Sequence, residues 1–207
     1  MTRLLSAGAM VGAMVGVLCI VAAPSARSAH ECAPTVAREA DADVYRAAFT
    51  HRSVRGDAKK PGLVVVRDIA PDGLGFKADP GAAAFLERHM RSPNPELVAR
   101  FLCVVHGQGV VPAALGRERE IRLVADTDLK RTLEGPGRDY WREVGRHFPD
   151  AAGVARVSPI AYSDDGAEAM VYVAFAGGIL NAHGDAVVLR FVTGRWYVVD
   201  HVQTWFS

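Results

Sequence analysis

The sequence predicts an α+β fold in which a four-stranded antiparallel C-terminal meander is covered on one face by helices drawn from the preceding chain. Three observations carry this. Four apolar, β-branched and aromatic runs follow one another at Val154–Tyr162, Ala167–Phe175, Ala186–Val192 and Arg195–Trp205, each of strand length or slightly longer. Short glycine-containing turns, Ser163-Asp164-Asp165-Gly166 and Thr193-Gly194, join the first pair and the last pair, so those neighbours reverse tightly and pair. In the second run Ala167, Ala169, Val171, Val173 and Phe175 alternate with Glu168, Met170, Tyr172 and Ala174, giving one wholly apolar face that needs a cover. A cone-like arrangement of the NTF2-like kind fits this pattern by analogy.

The chain opens with Arg3, an apolar stretch from Leu4 to Ala23 and a small, polar exit through Pro24 to Ala29. This is the pattern of a secretory signal peptide, cleaved most simply after Ser28, with an uncleaved membrane anchor as the competing reading. Cys19 follows the bulky Leu18, which is wrong for a lipoprotein site, so the expected product is periplasmic or secreted, without a lipid anchor. The expected organisation is residues 1–28 as signal peptide and 29–207 as a single domain. Loss of Arg3 and Arg27 leaves 22 basic against 23 acidic residues, a balance that offers nucleic acid or an anionic membrane no electrostatic footprint.

After cleavage two cysteines remain, Cys32 and Cys103. In an oxidising compartment a bridge between them is the plain expectation, contributing about 4 kcal/mol in the chain-entropy view. The competing reading takes Cys103 with His106, one helical turn away, as nucleophile and base.

Before the meander the elements follow from periodicity and stop signals. Val36, Ala40, Val44, Ala47 and Ala48 recur at helical spacing opposite Arg38, Glu39, Asp43 and Arg46. Leu63 to Ile69 reads as a strand. Asp79-Pro80 and Asn94-Pro95 each open a helix, since the first residue caps and proline suits the first turn. Glu118 to Asp126 reads as a strand with one wet face, followed by a short helix to Leu133. Tyr140, Trp141, Val144 and Phe148 make the apolar stripe of a last helix, expected to lie on the meander. Trp196 and Trp205 stand nine residues apart on the last strand and so point to opposite faces if no bulge intervenes, Trp196 toward the helices.

Tyr140-Trp141, Phe148-Pro149, Asp164-Asp165-Gly166, Ala169 to Val173, Gly177-Gly178, Val187-Val188-Leu189 and Gly194-Arg195-Trp196 together resemble the C-terminal signature of a family of uncharacterised exported bacterial proteins. The resemblance covers about residues 136–207. It implies export and this fold, and no activity. Family members often carry cysteines around the glycine pair, where this chain has Ala176, Ile179 and Leu180.

Candidate chemistry gathers at Asn181, His183 and Asp185, expected to lie in a solvated loop from Ala176 to Asp185, with Asp164, Asp165, Asp200 and His201 as further polar groups. His183 and Asp185 can supply two metal ligands, or a base with its orienting carboxylate. No nucleophile elbow or phosphate-binding glycine loop is present. Two function classes follow: a non-catalytic exported binding or accessory module that needs no cofactor and takes a small molecule or a protein, and a small exported hydrolase or metal-binding protein using the His183/Asp185 loop. Convergence of Asp164, His183, Asp185 and His201 in one cleft favours the second.

Overall fold

A computed structural model describes residues 38–51, 54, 60–69, 74–91, 94–133, 139–178 and 180–207. The signal peptide expected over residues 1–28, and Cys32, lie outside the described residues. No helix among those described is long and apolar enough to cross a membrane.

Five α-helices are described: α1 (Asp41–Thr50), α2 (Ala82–His89), α3 (Pro95–Val104), α4 (Asp126–Leu133) and α5 (Tyr140–His147). The strands are β1 (Gly62–Val66), β2 (Asp68–Ile69), β3 (Gly109–Val110), β4 (Ile121–Val124), β5 (Ala151–Val157), β6 (Ala161–Tyr162), β7 (Glu168–Ala176), β8 (Ala182–Val192) and β9 (Arg195–Phe206). The start of α3 follows the expected chemistry, whereas α2 begins at Ala82 behind Gly81 without a side-chain cap, and Asp79, expected to cap there, accepts from Gly81 N instead. Asn94 accepts hydrogen bonds from Glu96 N (3.1 Å) and Leu97 N (3.4 Å) ahead of Pro95, and Asp139 does the same for Trp141 N (3.0 Å) and Arg142 N (3.2 Å). Such caps satisfy donors that the first turn leaves without partners.

The α+β class stands, with a larger sheet than the meander alone. Among the described residues seven strands form one sheet in the order β4-β1-β5-β7-β8-β9, with β6 also paired to β7. The C-terminal strands are antiparallel, as their turns require. The other end is parallel, because β1 runs alongside both β4 and β5 and the connections between them are long enough to hold helices.

The one-sided cover is corrected. On one face Val171, Val173, Phe175, Val187 and Leu189 pack with Tyr45, Ala48 and Phe49 of α1. On the other, Met170, Tyr172, Ala186 and Val188 pack with Leu86 of α2 and Leu97, Val98 and Phe101 of α3. The apolar stripe of α5 also lies elsewhere than expected: Val144 joins Leu129 and Leu133 of α4 over Val64, Val66 and Val154 at the parallel end. A sheet buried on both faces explains the unbroken apolar run of β1, whose Leu63, Val64, Val65 and Val66 are all at most 2% exposed.

The expected first run of the meander is two strands. β5 and β6 both pair with β7, and Ser158-Pro159-Ile160 breaks the ladder between them. Ser158 repairs the gap: its N donates to Tyr172 O (3.0 Å), its Oγ accepts from Tyr172 N (2.9 Å) and donates to Pro159 O (2.7 Å). Its carbonyl accepts from Tyr45 Oη (2.9 Å), tying α1 to the break. A fully buried break is tolerated only when each polar group finds such a partner.

β9 carries two register shifts against β8, leaving Val199 and Thr204 as extra residues. Each shift alone flips the alternation, and two restore it. Trp196 therefore faces the α1 side and Trp205 the α2–α3 side, opposite faces as expected. Since both faces are covered, both indoles are half-buried.

Candidate functional site

The second part of the expected solvated loop at Ala176–Asp185 is strand. β8 starts at Ala182, so His183 pairs with Phe175 and Asp185 with Val173 across to β7, and with Phe206 and Gln203 across to β9. His183 is 7% and Asp185 1% exposed. The His183 ring lies 5.3 Å from the Phe175 ring, and its Nε2 stands 3.0 Å from Val54 O. A carbonyl only accepts, so Nε2 carries the hydrogen. The same nitrogen is 3.5 Å from Asp185 Oδ2, yet that oxygen has no hydrogen-bond partner among the described residues. Burial pushes the Asp185 carboxyl up to about 6, with His183 and His201 pulling the other way.

Of the four groups whose convergence was in question, three come together. His201 of β9 sits opposite Val187 on the Asp185 face, and its ring is 5.2 Å from that of His51 at the end of α1. Asp164 is remote, in the β6–β7 turn, where it pairs with the Arg100 guanidinium. Asp165 closes the same turn by accepting from Ser163 Oγ (2.6 Å) and Ala167 N (3.0 Å). Asp200 faces the other layer and accepts from Arg91 N at 2.6 Å. Asn181 belongs to the reversal, its carbonyl accepting from Gly177 N at 2.7 Å. Among the described residues no group of three or more His, Cys, Asp or Glu side chains is placed to hold a metal ion. The His183–Asp185 pair thus has the composition of a base with its carboxylate but is sealed in the core, out of reach of a substrate.

Cys103 is half-buried on α3. His106 is exposed, stacks on Phe76 at 6.4 Å, and its Nε2 accepts from Ala78 N at 3.2 Å. That ring nitrogen is occupied by the backbone, which weakens the nucleophile–base reading.

On the opposite face of β8 lies a cleft that the sequence did not announce. It has a volume of about 420 Å³ and is walled by Phe76, Phe85 of α2 and Trp205, with Lys77, Asp79 and Thr204 at its polar edges. This is the size range of small-molecule sites. Its floor is built by close approach. Gly184, between His183 and Asp185, lets the Trp205 indole and the Tyr172 hydroxyl lie against the β8 backbone, since a Cβ there would overlap both. Gly75, at φ +69°, also meets the indole, where a Cβ would stand 2.9 Å from Nε1. That φ suits glycine. Trp205 Nε1 donates to Leu74 O at 3.2 Å.

The polar edge is set by the Thr204 bulge. Thr204 Oγ1 donates to Gly184 O (3.1 Å), which leaves it to accept from Tyr172 Oη at 2.5 Å. Burial pushes the Tyr172 hydroxyl up to about 12, so it keeps its proton. Asp79 is committed to Gly81 N at 2.9 Å. Lys77 is exposed and makes no ion pair with another described residue. A second cavity, of about 150 Å³, lies at the start of β1 beside Arg119, Arg122 and Phe148. It is too small for more than a few atoms.

No family model, curated protein or solved structure matches the chain.

Proposed function

We propose that the protein is a non-catalytic binding module that holds a small, largely apolar molecule in the cleft between α2 and the end of β9. The observation that carries this is the cleft itself: three aromatic walls, a floor shaped by Gly75 and Gly184, and a single uncommitted cation, Lys77, among the described residues of its edge. Such a site suits a ligand whose apolar body stacks on Phe76, Phe85 and Trp205 while an acceptor group meets Lys77. The hydrolase alternative loses support because His183 and Asp185 lie across the sheet from this cleft, buried and facing α1.

The export reading belongs to the same proposal. It rests on the charged start, apolar run and small exit of residues 1–29, and on the resemblance of residues 136–207 to exported proteins. A Cys32–Cys103 bridge would then fasten the start of the mature chain to α3.

Mass spectrometry of protein recovered from the periplasm or medium tests all three parts. The denatured mass is expected to correspond to a chain beginning at Ala29, with no thiol open to alkylation before reduction. The native mass is expected to exceed it by one small ligand, lost in Phe85→Arg. An intact Met1 in a membrane pellet would overturn export, and two free thiols would overturn the bridge. A native mass equal to the denatured one, with no ligand acquired from a metabolite extract, would overturn the binding reading.

A further inference from the structure

The Asp185 carboxyl, which the cleft does not use, is the most unusual polar group in the core. Its Oδ2 is buried and has no hydrogen-bond partner, although a buried carboxylate ordinarily collects two or three donors. The nearest donor, His183 Nε2–H, is aimed at Val54 O (3.0 Å) and passes Oδ2 at 3.5 Å. With His183 neutral and Asp185 ionised, the pair is one proton short. A proton added to the imidazole places a cation beside the carboxylate. A proton added to the carboxyl removes the buried charge. Either arrangement relieves the same deficiency, so the proton belongs to the pair.

We propose that Asp185 and His183 form a shared proton-binding site in the core that mild acidification fills, relieving a buried carboxylate oxygen that has no hydrogen-bond partner among the described residues. Among the described residues, the titratable groups that face Asp185 are His183 on its own strand and His201 on β9, with His51 at the end of α1 beside the His201 ring. β7 places Val173 and Phe175 on that face, its Tyr172 hydroxyl feels the Asp185 charge from the other side of the sheet, and the β9 residue directly opposite is the neutral Gln203.

The direction of the pH effect follows from the shifts. Asp185 binds its proton more tightly folded, near pH 6, than unfolded, near pH 4. The native state therefore holds more protons in that window, and stability is gained as pH falls through 6 and lost as it rises. Two pH units correspond to a hundredfold in proton affinity, about 2.7 kcal/mol. His51 acts oppositely. Burial and the neighbouring His201 lower its affinity for a proton, so its contribution is lost as pH falls below its unfolded value of about 6.5.

The test measures unfolding by urea from pH 7.5 to 4.5 for the wild-type chain, His51→Asn and Asp185→Asn. Relative to Asp185→Asn, the wild-type unfolding constant is expected to fall by roughly twentyfold as pH drops from 7 to 4.5, on the way to the hundredfold limit at lower pH. His51→Asn should enlarge the wild-type gain on acidification. Parallel pH profiles for wild type and Asp185→Asn would overturn the proposal. Should Asp185→Asn fail to fold, the wild-type chain still decides: a 13C titration of the Asp185 carboxyl is expected to show a midpoint near pH 6. An Asp185 midpoint near 4 would overturn it.

Discussion

Phe101→Ala and Phe49→Ala will each destabilise the protein by about 3–5 kcal/mol. The two rings sit on opposite sides of the same sheet. Phe101 is fully buried on α3 against Phe76 at 5.8 Å, among Leu86, Met170 and Tyr172. Phe49 is 2% exposed at the end of α1, among Val173, Phe175 and Val187. Truncation removes each ring's burial and leaves a cavity that close-packed neighbours fill only partly. Comparable losses at both positions are what a sheet covered on both faces requires. A meander covered on one side would make one of the two changes nearly silent, and urea titrations of the two variants distinguish these cases.

Gly184→Ala will cost about 3 kcal/mol, at the upper end of what overpacking does. The added methyl has no flexible tip to displace. It overlaps the Tyr172 hydroxyl and the Trp205 indole, and Tyr172 Oη is held by Thr204 Oγ1 while Trp205 Nε1 is held by Leu74 O. Removing one obstacle should return part of the loss. In Tyr172→Phe the hydroxyl is gone, so Gly184→Ala is expected to cost less in that background than in the wild-type chain, a positive coupling in a double-mutant cycle. Additive losses would mean that the indole alone resists the methyl.

Local signals were legible where the physics is local. Asn94-Pro95 announced a capped helix start and formed one, and Thr193-Gly194 announced a tight reversal, with both residues at positive φ. The alternation of residues 167–175 correctly separated two faces of β7. What it could not say was that the mixed face is also covered, because Met170 and Tyr172 are buried by Leu97 and Phe101, some seventy residues earlier. The run Leu63-Val64-Val65-Val66 did carry a signal of two-sided burial, since a strand wet on one face alternates. Its parallel partners depend on where two crossovers return, which no local pattern encodes.

His183 and Asp185 were misplaced for a related reason. A polar, glycine-containing stretch satisfies every local criterion for a loop. Its place in β8 is fixed by pairing with Phe175 and Val173 on one side and Phe206 and Gln203 on the other. The cleft was hidden for the same cause: Gly75, Gly184 and Trp205 acquire meaning only when the chain brings two distant glycines against one indole.

Trp205 also supplies the most direct test of ligand binding. With Trp141 and Trp196 replaced by phenylalanine, the remaining indole lies in the wall of the cleft, and its fluorescence reports occupancy. Titration with 8-anilinonaphthalene-1-sulfonate, an aromatic anion of suitable size, is expected to quench Trp205 saturably at one equivalent. Phe85→Arg should abolish the effect and Lys77→Ala should weaken it. Quenching that never saturates, or that persists unchanged in Phe85→Arg, would contradict a binding site between α2 and β9.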